Sequence, residues 1–219
     1  KKVAGLTYGT NGFYLDFGNE ITKHTITASG NTNHSTAQEK IGDTSIYFDG
    51  TGDYLAIPNH TDCNFGTGDF TVEFWMYSNV GGTHSQYGLI GAFSSGDTGW
   101  MVWSNDNQEL RFITDTTQTE IGGTINNSAW HHIAVTRQSG TVRGYIDGTQ
   151  EHSWTDTTTI NGGGDGFAIG REYTNVDNHY FDGYLDEIRI SNNCRYPDGT
   201  GFTPSTSAFT EDGSTLLLI

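Results

Sequence analysis

WHHIAVTRQSGTVRGYIDG, residues 130–148, is the stretch that decides the fold. Two runs rich in β-formers flank the three-residue break Gln138-Ser139-Gly140. That break has the length and chemistry of a hairpin loop, with Gly140 suited to a left-handed position. Asp147-Gly148 is a two-residue turn signal, and residues 149–154 supply the return strand. Along the first run Trp130, His132 and Ala134 share one side, while Ile133 and Val135 share the other. Both sides are largely apolar, so this strand is expected to be covered on both faces.

The remaining composition fits sheets built around this meander. With 219 residues, 30 glycines, three prolines and 13% aromatics, the chain reads as one all-β domain spanning residues 1–219. Residues 1–12 read as a lead-in from something upstream. No run approaches the roughly 18 apolar residues of a membrane helix, so no membrane insertion is expected. Ten basic residues stand scattered against 26 acidic ones, a formal charge of −16. Without a basic stripe to neutralise phosphates, nucleic acid is excluded as an expected partner. The acidity reads either as solvated surface or as cation binding. Cys63 and Cys194 read either as one long-range bridge or as two buried thiols.

Strand signals recur along the whole chain. FYLDF (13–17), SIYF (45–48) and Tyr54–Ile57 are short runs, the last two joined by the turn Asp49-Gly50-Thr51-Gly52-Asp53. In DFTVEFWMY (69–77), Phe70, Val72, Phe74 and Met76 alternate onto one face. Runs at 88–93, 99–104 and 109–114 follow at the spacing of an antiparallel sandwich. Residues 166–170, 180–190 and 214–219 complete the set, the last expected to pair near 13–17. Weak edge strands are expected within residues 20–40. Helix is limited to one short turn near 60–64 or 191–194.

Five segments in order carry a resemblance: IYFDGTGDYLAIP (46–58), NFGTGDFTVEFWMY (64–77), the 130–148 stretch, FAIGREY (167–173) and FDGYLDEIRISN (181–192). Together they resemble the laminin-G-like jelly-roll domains of the concanavalin A-like lectin/glucanase superfamily. The resemblance implies an all-β, two-sheet antiparallel jelly-roll sandwich. It also implies that Trp75, Trp100 and Trp130 occupy core positions. The lead-in GLTYGTNGFYLDF (5–17) and tail RYPDGTGFTPSTSAFTEDGSTLLLI (195–219) are similar to versions in bacteriophage tail and fibre proteins. That second likeness implies a virion location, with other virion proteins or further copies of the chain as partners. A secreted or cell-surface bacterial protein is the alternative.

Catalysis finds little support in the residues. Glycosidases of this fold carry paired carboxylates in an E-x-D-x-x-E-like run, and no such run exists here. Asp182 and Asp186 come closest in spacing. There is no G-x-S-x-G elbow. His131 and His132 are adjacent, so on a strand they face opposite ways and do not share an ion. His60-Thr61-Asp62-Cys63 lacks a second ligand group at a standard spacing and reads as loop. NGGGDG (161–166) has no Gly-Lys-Ser/Thr and reads as a flexible turn.

Two binding expectations remain. The resemblance implies a structural calcium ion where the early turn meets the late strand, held by Asp49, Asp53, Asp186 and the backbone of Gly52. The competing reading makes Asp49-Gly50 a plain turn and has Asp186 cap, or pair with Arg189, at the surface. Sugar recognition needs aromatic faces and directed polar groups on loops. Its candidates are Tyr87, Trp103, Trp154, Tyr173 and Tyr180, with Asn105, Asp106, Asn175 and Asp177. Residues 173–180 (YTNVDNHY) form the leading loop. The sequence therefore points to a non-catalytic module that binds a cell-surface glycan, a purely structural virion role being the alternative.

Overall fold

Ser139 (φ 49°) with Gly140 (φ 79°), and Asp147 (φ 51°) with Gly148 (φ 78°), build the two hairpins of the central meander. Positive φ at both central residues marks the turn type whose twist matches the flanking strands. The first loop has two residues rather than three, because Gln138 pairs with Thr141. The computed structural model describes residues 24–79, 86–94, 98–105, 107, 109–115, 117–123, 125, 127–172 and 179–219. The expected 13–17 strand and the 1–12 lead-in lie outside them.

Among the described residues the strands are β1 (Thr27–Ser29), β2 (Asn33–Ser35), β3 (Ser45–Asp49), β4 (Tyr54–Ile57), β5 (Phe70–Ser78), β6 (Tyr87–Ser94), β7 (Thr98–Ser104) and β8 (Leu110–Thr114). They continue as β9 (Thr117–Gly122), β10 (Trp130–Gln138), β11 (Thr141–Ile146), β12 (Thr149–Thr155), β13 (Phe167–Ile169), β14 (Asp182–Ser191) and β15 (Thr215–Leu218). One sheet runs β1-β4-β13-β6-β7-β8-β9 and the other β12-β11-β10-β5-β14-β3-β2, with β15 added beside β14. Every pairing is antiparallel. This is the expected jelly-roll sandwich.

Between the sheets lies an apolar core. Phe70, Val72, Phe74 and Met76 of β5 face Trp100, Leu110, Phe112 and Leu55 across it, with Ile133 and Val135 beside them. Trp100 is fully buried, and its Nε1 donates to the Cys63 carbonyl at 2.8 Å. Among the described residues, helix is confined to the 3-10 turn Thr61–Cys63, at the first of the two expected places. β9 escaped the sequence reading because TQTEIG is a polar, mostly exposed edge strand.

The double coverage expected of β10 is present. Ile133 and Val135 enter the inter-sheet core, while the C-terminal segment crosses the opposite face. There the Phe202 ring lies 5.5 Å from His132 and 5.3 Å from Tyr145, and stacks on Tyr196. β15 pairs with β14 through Arg189↔Leu218 and Ile190↔Leu217. Cys63 and Cys194 are both free thiols, the first in the core and the second half-buried under this segment.

Candidate functional site

Among the described residues, the loop-borne aromatic candidates do not assemble. Tyr87 is 2% exposed, on β6, with its ring 5.3 Å from Phe181. Trp103 is 4% exposed and packs with Phe93, Met101 and Ile113 on the outer side of the seven-stranded sheet. Trp154 is half-buried on β12, its ring stacked on His152 at 5.7 Å. Tyr180 lies half-buried 6.5 Å from Tyr54, whose ring carries the Arg171 guanidinium at 3.6 Å. Asn105 shapes its own turn, accepting from the N–H groups of Asn107 and Glu109 and donating to the Glu109 carboxylate. Asp106, Tyr173, Asn175 and Asp177 lie outside the described residues.

A different aromatic array stands on the outer face of the eight-stranded sheet. On β5 the core residues alternate with Thr71, Glu73, Trp75 and Tyr77, which face outward. Register aligns Tyr47 of β3 with Tyr184 of β14, Tyr184 with Tyr77 of β5, and Tyr77 with Trp130 of β10. The four rings therefore form a row across four adjacent strands. Successive centroids are 5.0, 5.9 and 5.7 Å apart. At about 4.8 Å per strand the row spans roughly 14 Å. Tyr47, Tyr77 and Trp130 are half-buried and Tyr184 is 9% exposed, so the row presents ring area to solvent without projecting from the sheet. Interplanar angles of 38°, 78° and 59° make it a staircase rather than a flat platform.

Polar groups border the row one pleat away. Asp49 and Asp182 pair across β3 and β14, and Asn79 Nδ2 donates to Asp182 Oδ1 at 2.9 Å. Burial, reinforced by the Asp182 carboxylate and more weakly by Asp49 and Asp53, pushes the Tyr47 phenol above its ordinary range. That hydroxyl stays a neutral donor and acceptor. On the opposite border the Lys40 ammonium sits 4.0 Å from the Trp75 ring. Trp100 fills the inter-sheet core and Trp75, though on the outward side of β5, is buried at 5% exposure beside His132 and under Lys40; Trp130 is the exception to the expected core positions, being half-buried on the outer face.

The sequence contained half of this signal. Tyr or Trp stands at the outward parity in the IYFD, FWMY and GYLD runs, but periodicity does not fix which strands are neighbours. Only the register puts the four rings side by side.

The calcium set does not converge. Asp182, not Asp186, lies opposite Asp49, and four strand residues carry Asp186 about 13 Å further along β14. Asp186 Oδ2 accepts the N–H groups of Lys40 and Ile41 at 3.0 Å each, and Arg189 pairs with Glu73 instead. Asp53, fully buried, accepts from Asn31 N at 2.7 Å and Asp49 N at 3.0 Å. Asp49 Oδ1 accepts from Thr51 N within the turn, and Gly52 supplies a left-handed residue (φ 77°). These four residues do not fit one shared ion, because Asp186 lies far along β14 from the turn and the Asp49, Asp53 and Asp186 carboxylates each anchor separate backbone N–H groups. The same 13 Å exceeds the carboxylate separation of either glycosidase class, so Asp182 and Asp186 are not a catalytic pair.

His131 and His132 diverge as expected. His131 Nδ1 contacts Asp147 Oδ2 at 2.7 Å and Nε2 contacts Asn127 Oδ1 at 2.9 Å, while His132 is fully buried beside Glu73.

Two packed antiparallel sheets with an aromatic row on one outer face define a lectin-like β-sandwich. The chain belongs to the concanavalin A-like lectin/glucanases superfamily, whose family model matches residues 49–198, more than half of its length. No curated protein matches it. Among solved structures it is similar to the binding domain of Paraclostridial Mosquitocidal Protein 1, with 15% identity and a TM-score of 0.63 over 78% of this chain and 44% of that one. It is also similar to domain 4 of a GH43 extracellular arabinanase from Geobacillus stearothermophilus in complex with arabinotriose. There the identity is 20% and the TM-score 0.58, over 80% of this chain and 85% of that one. The binding domain of botulinum neurotoxin DC, in complex with SialylT, matches at 13% identity and a TM-score of 0.60, over 78% and 43% of the two chains. The chain thus spans less than half the length of these toxin binding domains. At such identities the likeness is one of fold.

Proposed function

We propose that this protein is a non-catalytic carbohydrate-binding module. The row Tyr47–Tyr184–Tyr77–Trp130 receives a chain of sugar rings, and Asp49, Asp182 and Asn79 hydrogen-bond its hydroxyls. The single observation that carries the reading is the register that lines four aromatic rings, three of them half-buried and Tyr184 9% exposed, across four strands. Sugar faces present C–H groups to aromatic rings and hydroxyls to polar neighbours, and this face offers both. A staircase suits a twisting chain better than a flat crystalline surface. The solved domains in complex with arabinotriose or SialylT support the reading at the level of fold.

The proposed ligand is a cell-surface glycan. The proposed setting is extracellular, on a phage tail, fibre or decoration protein, as the likeness of residues 5–17 and 195–219 suggests. Among the described residues no helix is long and apolar enough to cross a membrane. Calcium has no part in this proposal. Binding of the tag-free chain to a glycan array tests it, with Tyr77→Ala and Trp130→Ala as variants. Loss of one stacked face removes about 1.5 kcal/mol, roughly a tenfold weakening, read well below each variant's own melting midpoint. Binding that survives both substitutions would overturn the site. No binding to any glycan, together with docking to a virion protein, would overturn the function in favour of a structural role.

A further inference from the structure

The fold brings His24 to the turn that holds His60 and Asp62, supplying the second ligand group that the sequence around residue 60 lacks. We propose that His24, His60 and Asp62 bind a divalent transition-metal ion of the zinc class, with the fourth position left to water.

The turn is rigid before any ion arrives. Cys63 N donates to the His60 carbonyl and Asn64 N to that of Thr61, each at 3.0 Å. The Cys63 carbonyl is held by Trp100 Nε1 at 2.8 Å, and Asn64 Oδ1 accepts Gly162 N at 2.8 Å. Against this turn the His24 side chain is only 3% exposed, yet its Nε2 has no hydrogen-bond partner. It points at Asp62 Oδ2, 3.2 Å away, which is buried and equally without a hydrogen bond. His60 Nδ1 accepts the Asp62 N–H at 3.2 Å and lies 3.4 Å from the other Asp62 oxygen, and one ligand atom from each of the three residues falls within 4.8 Å of the others.

These separations have the scale of a coordination sphere. Zinc bonds of about 2.0–2.1 Å in a tetrahedron place neighbouring ligand atoms roughly 3.3 Å apart. Two imidazoles and one carboxylate suit zinc and its neighbours; calcium and magnesium prefer all-oxygen shells. Exposure rises from His24 (3%) through Asp62 (18%) to His60 (43%), so the open position faces solvent on the His60 side. The ion would tie the chain at His24 to a turn anchored in the core.

The test is titration of zinc into the metal-free, tag-free chain, followed by calorimetry and thermal melting. One-to-one binding and a raised midpoint are expected, with visible bands of tetrahedral cobalt when cobalt replaces zinc. His24→Gln should weaken binding at least tenfold, and so should His60→Gln, whose exposed position leaves folding intact. Calcium should raise nothing. Failure to bind zinc stoichiometrically overturns the proposal and leaves His24–Asp62 as an ion pair. Binding undiminished in His60→Gln or His24→Gln overturns it equally.

Discussion

Arg189 sets both Nε and Nη2 on one oxygen of Glu73, at 2.8 and 2.7 Å. The pair is sealed between the outer face of the eight-stranded sheet and the C-terminal segment. Tyr196 donates its hydroxyl to the other oxygen at 2.5 Å, and His132 Nε2 stands 3.4 Å from it. Burial by itself would raise the Glu73 carboxyl, but His132, Arg189 and Tyr196 outweigh it and hold the group below its ordinary range. A carboxylate depressed in the folded state contributes stability above its unfolded pKa, and that contribution is lost as pH falls through the folded value. Urea midpoints should therefore drop on the acid side of the usual glutamate range. Glu73→Gln should flatten that slope while costing about 3–5 kcal/mol at neutral pH, since Arg189 is left buried and unpaired. An unchanged midpoint in Glu73→Gln would contradict the assignment.

Gly148 joins the second hairpin to the same C-terminal segment. Its φ is +78°, a Cβ there would stand 1.8 Å from the Phe202 carbonyl oxygen, and its own carbonyl accepts Phe202 N at 2.8 Å. Gly148→Ala meets both left-handed strain and a backbone clash, so it should cost more than about 1 kcal/mol. Gly164, with nothing within 4 Å of a built Cβ, is the matched control, and Gly164→Ala should leave the melt nearly unmoved. The Phe202–Tyr196 stack should loosen in the first variant, read as faster hydrogen exchange over β10 and β11.

The architecture was legible because alternation in β5 and the turn chemistry at Gly140 and Gly148 are local properties. The double coverage of β10 was legible for the same reason, since His132 and Ala134 oppose Ile133 and Val135. What was hidden depends on register. Tyr47, Tyr77, Trp130 and Tyr184 come from four distant segments, and no local pattern says they are neighbours. Asp186 fails as a partner of Asp49 for the same reason: a family likeness placed it near the early turn, and strand pairing puts Asp182 there instead. His24 reached His60 through tertiary folding alone. Trp103 stands within, and Tyr87 just before, a run that reads as strand, and a strand pattern alone does not say which aromatic is covered; both are buried, on β7 and β6.

The two thiols should differ in reactivity without either being fast. Burial pushes the Cys63 thiol up to about 11 and raises that of Cys194 as well. Thiolate is the nucleophile, so both are slow near neutral pH. Cys63, fully enclosed, should alkylate only as the chain unfolds, while half-buried Cys194 reacts first as pH rises. Mass spectrometry after timed iodoacetamide labelling reads the order, and early modification of Cys63 would show that the core around the Thr61–Cys63 turn opens.

Asp53 separates a carboxylate that anchors backbone from one that binds an ion. Its oxygens hold Asn31 N and Asp49 N, tying the lead into β2 to the β3–β4 turn. Burial raises its pKa more than these N–H groups lower it, so the folded group protonates more readily than an exposed aspartate. By linkage, ionisation at Asp53 opposes stability slightly as pH rises through the unfolded value, even though the hydrogen bonds favour the fold. Asp53→Asn keeps one acceptor oxygen and should cost less than Asp53→Ala, which strands buried N–H groups at about 1–3 kcal/mol. If the anchoring role is the whole of it, calcium added to the metal-free chain shifts no midpoint in the native protein or in either variant. A calcium-dependent rise that disappears in Asp53→Ala would instead restore an ion to this turn, without Asp186 among its ligands.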